Sequence, residues 1–214
     1  MRYNKVNYVA LFKFYWQPAE VTSMQQTLDD FICTWAKNGG PEIRAYHKNE
    51  WCQPAHDDQY IFEMMSLEIF QAGLNWELVL KKRPAFQKAF ANFDLHKVAA
   101  MTSADTDRLL QDSSIIRNRL KIQDTVLNAK AFLEIQKEFG SFDHYIWQFV
   151  NDRQVNNHIR IPAEIHSKTP LSEKIAKDLK KHGFKFMGPT ITYSFMQAIG
   201  LVNDHEISCM DNPG

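Results

Sequence analysis

From residue 57 onward, apolar positions recur at helical spacing nearly to the end of the chain, and strand-like alternation is scarce. Asp58, Ser103, Thr169 and Pro189 are residues of the kind that open helices, and Gly73, Gly140, Gly183 and Gly200 offer stops. The clearest element covers 59–72. At ~100° per residue, Ile61, Met64, Met65, Ile69 and Ala72 form one apolar face, with Glu68 in its middle. Only the short run 156–161 reads as extended, and one such segment does not make a sheet. With no internal repeat and no low-complexity tract, the expected fold class is all-α. Residues 1–23 are rich in aromatics without a helical period. They read as an N-terminal extension from an over-long gene start, with Met24 the natural initiator and 24–214 a single helical domain.

Composition narrows the picture. A chain of 214 residues that is 44% hydrophobic has apolar material for one sizeable core, and nothing suggests several independent domains. The formal net charge is zero, which argues against a wholly basic nucleic-acid binder. The charges are uneven, however: residues 81–130 hold ten Lys or Arg against five Asp and no Glu, so a local phosphate-binding face is expected there. Three cysteines are an odd, sparse set that fits a reducing cytoplasm better than a disulfide framework. No apolar run approaches the roughly 20 residues that span a bilayer, and the patch 9–12 ends at Lys13 with no cleavage site behind it. A soluble, unexported protein without a membrane partner follows, with a monomer as the default.

Three places can carry chemistry. Glu68 puts a carboxylate where a Leu would be expected; buried unpaired it would cost several kcal/mol or become protonated. It should meet a structural partner, an Arg or a backbone N–H, or else a cavity or ligand. Second, Cys33 and His47 near the start of the regular chain and His205 and Cys209 at its end are soft or borderline ligands that would suit a closed tetrahedral zinc site, structural because no coordination position stays open. One helical turn could present the last two. The spacing alone matches no standard finger, leaving surface His and buried Cys as the alternative. Third, 107–130 reads as two helical stretches broken at 112–114, followed by Ile115, Ile116 and the basic Arg117, Arg119 and Lys121. Free backbone N–H groups at such a turn can hold a DNA phosphate; an ordinary helical hairpin with a solvated basic flank fits equally.

Several stretches in order carry a resemblance: Cys33-Thr-Trp35, Ala45-YHKNEW-Cys52, Phe62-EMMSLEIFQAGLNW-Glu77 leading into VLKKR, the run IIRNRLKI, and GFKFMGPTITYSFMQAIGLVNDH ending at His205. The chain from about Cys33 to Cys209 resembles the 3-methyladenine DNA glycosylase I family, within the helix-hairpin-helix glycosylases. The resemblance implies zinc ligands at Cys33, His47, His205 and Cys209. It implies a base pocket of Glu68, Tyr46, Trp51 and Trp76, and a wedge at Gly73 and Leu74 that enters the duplex. It implies DNA contacts at the hairpin, on Ser114, Arg117, Arg119 and Lys121. The implied activity is monofunctional hydrolysis of the N-glycosidic bond of 3-methyladenine in double-stranded alkylated DNA by base flipping, with free 3-methyladenine as product. No lysine is placed as a Schiff-base nucleophile, and the lysines of KKHGFK read as phosphate contacts. Because the ligands join the chain ends, loss of Cys209 is expected to leave the pocket in place.

Departures from the family pattern qualify this. Ser113 and Ser114 stand where Gly is usual, Cys52 where Gly is common, and Ile69 where some relatives have Gly, which would narrow the pocket. A zinc-stabilised DNA-binding module without turnover, or a glycosylase that also accepts 3-methylguanine, are the alternatives these features keep open.

Overall fold

The computed structural model describes residues 31–212, so the readings of 1–23 and of Met24 lie outside the described residues. The chain is mostly helical. Helices α1 (Thr34–Lys37) and α2 (Pro41–Asn49) lead to α3 (Asp58–Gln71), whose first turn is capped by the Asp57 side chain accepting from the Tyr60 N–H at 2.7 Å. Helix α4 (Trp76–Ala89) follows, then α5 (Leu95–Ala99) and α6 (Ser103–Leu109), the last opened by a Thr102/Asp105 capping box. The long α7 (Arg119–Phe139) ends at Gly140, whose φ of +87° suits the missing Cβ. Helices α8 (Phe142–Trp147), α9 (Pro170–Lys181) and α10 (Pro189–Ala198) complete the set. Thr169 is the N-cap of α9 and Pro189 the first residue of α10, as the start signals indicate.

Helix α3 is the axis of the fold. Every residue from Ile61 to Phe70 is buried, and α4, α7, α8 and α10 all pack on it. The single apolar face read from its sequence is therefore an underestimate: a helix surrounded on all sides buries its polar residues too. The aromatic content goes largely into this core, where Phe62 meets Phe93 and Phe132 edge to face and Phe132 stacks on Phe142 at 3.9 Å.

Two local expectations are corrected. The extended run near 156 does find a partner: β1 (Val155–Asn156) pairs in parallel with β2 (Val202–Asn203), and Ile159 bridges to Glu206. The break between α6 and α7 spans 110–118, longer than 112–114, because the Asn118 side chain caps α7 through the Lys121 N–H only at that point. Among the described residues no helix is long and apolar enough to cross a membrane.

Lys121 is the third correction, since it is not a surface phosphate contact. It is 6% exposed, and its ammonium donates to Phe70 O at 2.9 Å and Ala72 O at 2.7 Å, the carbonyls that α3 leaves open at its C-terminus. Burial pulls its pKa down. Lys121→Met keeps the stem and orphans both carbonyls, so a loss on the order of 2 kcal/mol and a melting temperature ~4–8 °C lower are expected by calorimetry. An unchanged melting temperature would show the cap to be idle.

Candidate functional site

The C-terminal half of α3, the end of α2 and the inner face of α10 enclose a cavity of about 190 Å³. That is below the ~300 Å³ where drug-sized pockets begin, so it suits one small flat ring system. Four residues expected together do meet there: Tyr46, Trp51, Glu68 and Trp76. Trp35, Gln71, Ser194 and Gln197 line it as well and were missed. The missed set had signals. Trp35 sits in a landmark stretch, Gln71 follows Glu68 by three, and Ser194 and Gln197 are polar residues three apart in the otherwise apolar YSFMQAIG.

The walls are aromatic. Tyr46 meets Trp76 edge to face at 5.2 Å, and Trp35 meets Trp51 the same way at 4.9 Å. The indole N–H groups of Trp35 and Trp76 are buried without an acceptor among the described residues. Burial, and then the proximity of Glu68, push the Tyr46 phenol far up, so it stays a donor.

Glu68 is 5% exposed and its carboxylate has no hydrogen-bond partner among the described residues. Burial alone pushes its pKa from 4.5 to about 8. The contrast with Glu63, one and a half turns earlier on the same helix, is instructive. Glu63 receives Arg83 at 2.8 Å and Gln87 at 2.8 Å, with Arg83 also bound to Glu50 at 2.7 Å. The structural ion pair considered for Glu68 belongs to Glu63, and Glu68 is left facing the cavity.

Gly73 and Leu74 form the corner between Gln71 and Trp76, both of which line the cavity. Gly73 turns the chain with φ +78°, and Leu74 stands 40% exposed at the tip. An apolar side chain is thus held exposed on the turn between two residues that line the cavity.

The turn between α6 and α7 differs from expectation in detail. Neither Ser113 nor Ser114 takes positive φ. Instead Asp112 Oδ1 accepts from both the Ser114 N–H at 2.9 Å and its hydroxyl, while Lys82 donates to the Ser114 carbonyl at 2.8 Å. The Ser114 donors are therefore engaged by a carboxylate, which corrects their reading as free anion-binding groups. Arg117 and Arg119 are exposed, and Arg119 pairs with Asp107 at 2.8 Å.

Cys33, His47, His205 and Cys209 converge as one buried cluster, their ligand atoms all within 4.8 Å of one another. Both sulfurs approach His205 Nδ1, at 3.4 and 3.5 Å, and Cys209 Sγ lies 3.6 Å from His47 Nε2. Metal–sulfur bonds of ~2.3 Å and metal–nitrogen bonds of ~2.0 Å at a tetrahedral angle give sulfur–nitrogen edges of about 3.5 Å, so the four atoms fit a small divalent cation. The other ring nitrogens are spoken for: His205 Nε2 contacts Trp51 O at 3.2 Å, and His47 Nδ1 contacts Asp211 at 3.3 Å. Cys33 is pushed up and Cys209 pulled down, first through the hydrogen bond between them. His205 and Cys209 are presented by a turn, with the Cys209 N–H on Glu206 O, and not by a helix.

The cluster and the cavity share a wall. Trp51 lines the cavity, accepts from His205 through its carbonyl and stacks on His47 at 5.8 Å. None of the four cluster residues lines the cavity, as expected of residues that join the chain ends, but Trp51 touches both. Of the departures, Ile69 packs fully buried outside the cavity lining. Cys52 occupies φ +59°, where a side chain costs on the order of 1 kcal/mol relative to Gly. Its N–H donates to Gln197 O at 2.8 Å and its sulfur accepts from the Asp204 N–H at 3.3 Å, which offsets the strain.

Residues 35–212 match the family model described as methyladenine glycosylase. The chain is 47% identical over 182 residues to DNA-3-methyladenine glycosylase 1 of Escherichia coli (strain K12), covering 85% of this chain and 97% of that one. It is 44% identical to the DNA-3-methyladenine glycosylase of Haemophilus influenzae, over 83% of this chain and 95% of that one. A structure of 3-methyladenine DNA glycosylase I from Staphylococcus aureus, solved for the structural basis of 3-methyladenine recognition, superposes with a TM-score of 0.82 at 34% identity, covering 85% of this chain and 96% of that one.

Proposed function

Since the chain belongs to the methyladenine glycosylase family, we propose that it hydrolyses the N-glycosidic bond of 3-methyladenine in double-stranded alkylated DNA, as a base-excision repair enzyme. The observation that carries this reading is Glu68, a carboxylate without a hydrogen-bond partner among the described residues, in an aromatic-walled cavity.

A base stacked in a duplex is out of reach at its glycosidic bond, so the nucleotide is extruded and the gap filled. Leu74, carried on the Gly73 turn, is the filler. Methylation at N3 leaves the base cationic, which weakens its bond to the sugar and makes it a ready leaving group. Over Trp76, Trp51 or Tyr46 such a cation gains ~0.5–2 kcal/mol. Glu68 supplies the charge partner and accepts from the donor edge of the base. A neutral base gains much less from either. Water completes the reaction and leaves an abasic site; among the described residues no lysine lines the cavity, which supports a monofunctional hydrolase.

The α6–turn–α7 unit is read as the helix-hairpin-helix element, with Arg117, Arg119 and the backbone around Gly73 meeting phosphates, joined by Lys180, Lys181 and Lys185. Ser114 takes part only where a phosphate displaces Asp112. The Cys33, His47, His205 and Cys209 set suits zinc. Four protein ligands leave no open position, so the ion's contribution is to hold the two ends of the domain together. Three free cysteines among the described residues support a reducing cytoplasm, and we take the acting species to be a monomer.

Chromatography of bases freed from methylated DNA, against a control for spontaneous depurination, is expected to show 3-methyladenine released by the intact protein. Release at the control rate with DNA still bound would leave a binding module without turnover. Excision of hypoxanthine at a comparable rate would overturn the selectivity described here.

A further inference from the structure

Behind the cavity wall lies a fully buried carboxylate that the reaction does not touch. Asp204 is 0% exposed and receives three hydrogen bonds, from Tyr193 OH at 2.6 Å, Asn157 Nδ2 at 2.6 Å and Gln197 Nε2 at 2.7 Å. Gln197 lines the cavity together with Glu68. A side-chain amide has one donating end and one accepting end, and the carboxylate of Asp204 takes the donating end. The Tyr193 hydroxyl donates to the same carboxylate, and burial and then Asp204 itself push its pKa up, so it stays protonated there. What Gln197 has left for the cavity is Oε1, which has no hydrogen-bond partner among the described residues.

We propose that Gln197 Oε1 is a specificity-determining acceptor for the substituent at C6 of the bound purine, and that Asp204 is the positioning residue that keeps the acceptor turned inward. The proposal rests on the glycosylase reading above and adds a second criterion to it. Glu68 and the rings select for positive charge, whereas a fixed carbonyl oxygen selects for hydrogen-bond polarity. An exocyclic amine at C6 donates to it. A carbonyl at C6 places oxygen against oxygen, and neither group can turn away while Asp204 holds the amide. A free glutamine would rotate and accept either base. The buried carboxylate removes that freedom, as second-layer partners do when they set the orientation of the side chains in front of them.

The test uses two free bases that differ at C6, 3-methyladenine with an amine and 3-methylhypoxanthine with a carbonyl. Dissociation constants follow from quenching of tryptophan fluorescence in the intact protein, in Gln197→Met and in Asp204→Asn. The intact protein is expected to favour 3-methyladenine. Each variant should lose roughly tenfold of that preference, ~1.4 kcal/mol; Gln197→Met also withdraws one of the three hydrogen bonds to Asp204 and leaves those of Tyr193 and Asn157. Asp204→Asn offers an N–H₂ in place of one oxygen, so hydrogen bonding no longer obliges Gln197 to point its donor at residue 204 and its acceptor at the cavity. A ratio unchanged in Gln197→Met overturns the assignment of the acceptor. Equal weakening for both bases in both variants overturns it too, since that is what a general loosening of the wall would do. If the intact protein binds neither base, the glycosylase reading falls and takes this one with it; if it binds 3-methyladenine and only the ratios fail to move, this one falls alone.

Discussion

Glu68→Gln is expected to lose base release from methylated DNA by roughly 10- to 100-fold while making the protein more stable at neutral and alkaline pH. The first half follows from removing a desolvated charged hydrogen bond, worth ~1.5–3 kcal/mol in the bound state. The second half follows from the pKa near 8. A carboxyl whose folded pKa is raised prefers its proton in the folded state. Its contribution to stability is therefore complete below the ordinary value of 4.5 and is lost as the pH climbs through about 8. At ~1.4 kcal/mol per pKa unit the loss reaches the order of 4 kcal/mol. A glutamine has no proton to surrender, so the melting temperatures of the two proteins should nearly coincide at pH 5 and diverge by several degrees by pH 8. Parallel curves across that range would mean that Glu68 has a partner after all. A cationic base supplies that partner in the working complex, so its binding expels the proton that the empty cavity retains.

Removing zinc from the proposed site is expected to have the larger structural effect. Binding energies of structural zinc sites are on the order of 10 kcal/mol at neutral pH, a large part of the stability of any single domain. Cys209→Ser should carry no stoichiometric zinc by elemental analysis, and its melting temperature should fall by well over 10 °C, consistent with a slope of ~2–4 °C per kcal/mol. Affinity for 3-methyladenine should fall as well, because the Trp51 carbonyl contacts the His205 ring and the Trp51 ring lines the cavity. One zinc per chain in that variant would show the ligand set to be wrong. Full affinity after zinc is lost would show the shared wall to be unimportant.

Much of this arrangement was legible before any coordinates, and the limits have physical causes. Glu68 was visible because a charge inside an apolar face is expensive and so needs a reason. The four residues of the Cys/His cluster were visible as donor chemistry at the two ends of the regular chain, although the turn that presents His205 and Cys209 was not. Lys121 was misread because a lysine in a basic run looks like a surface charge. The carbonyls it serves lie 51 and 49 positions away, and periodicity carries no trace of them. The same holds for the pairing of Val155–Asn156 with Val202–Asn203, and for Asp204, whose three donors come from two other segments of the chain. One-dimensional patterns reveal which faces are apolar; they do not reveal which distant polar group completes a partner's valence.

The shared wall also sets an order of events at the ribosome. Trp51 and His47 emerge early, but the ring that contacts the Trp51 carbonyl belongs to His205 and the second thiol to Cys209, and synthesis reaches both only after α10. Until then the nascent chain can assemble α3 and its neighbours yet has neither a complete metal cluster nor an anchored cavity wall. Completion of the cluster and anchoring of the wall both wait for the segment that follows α10.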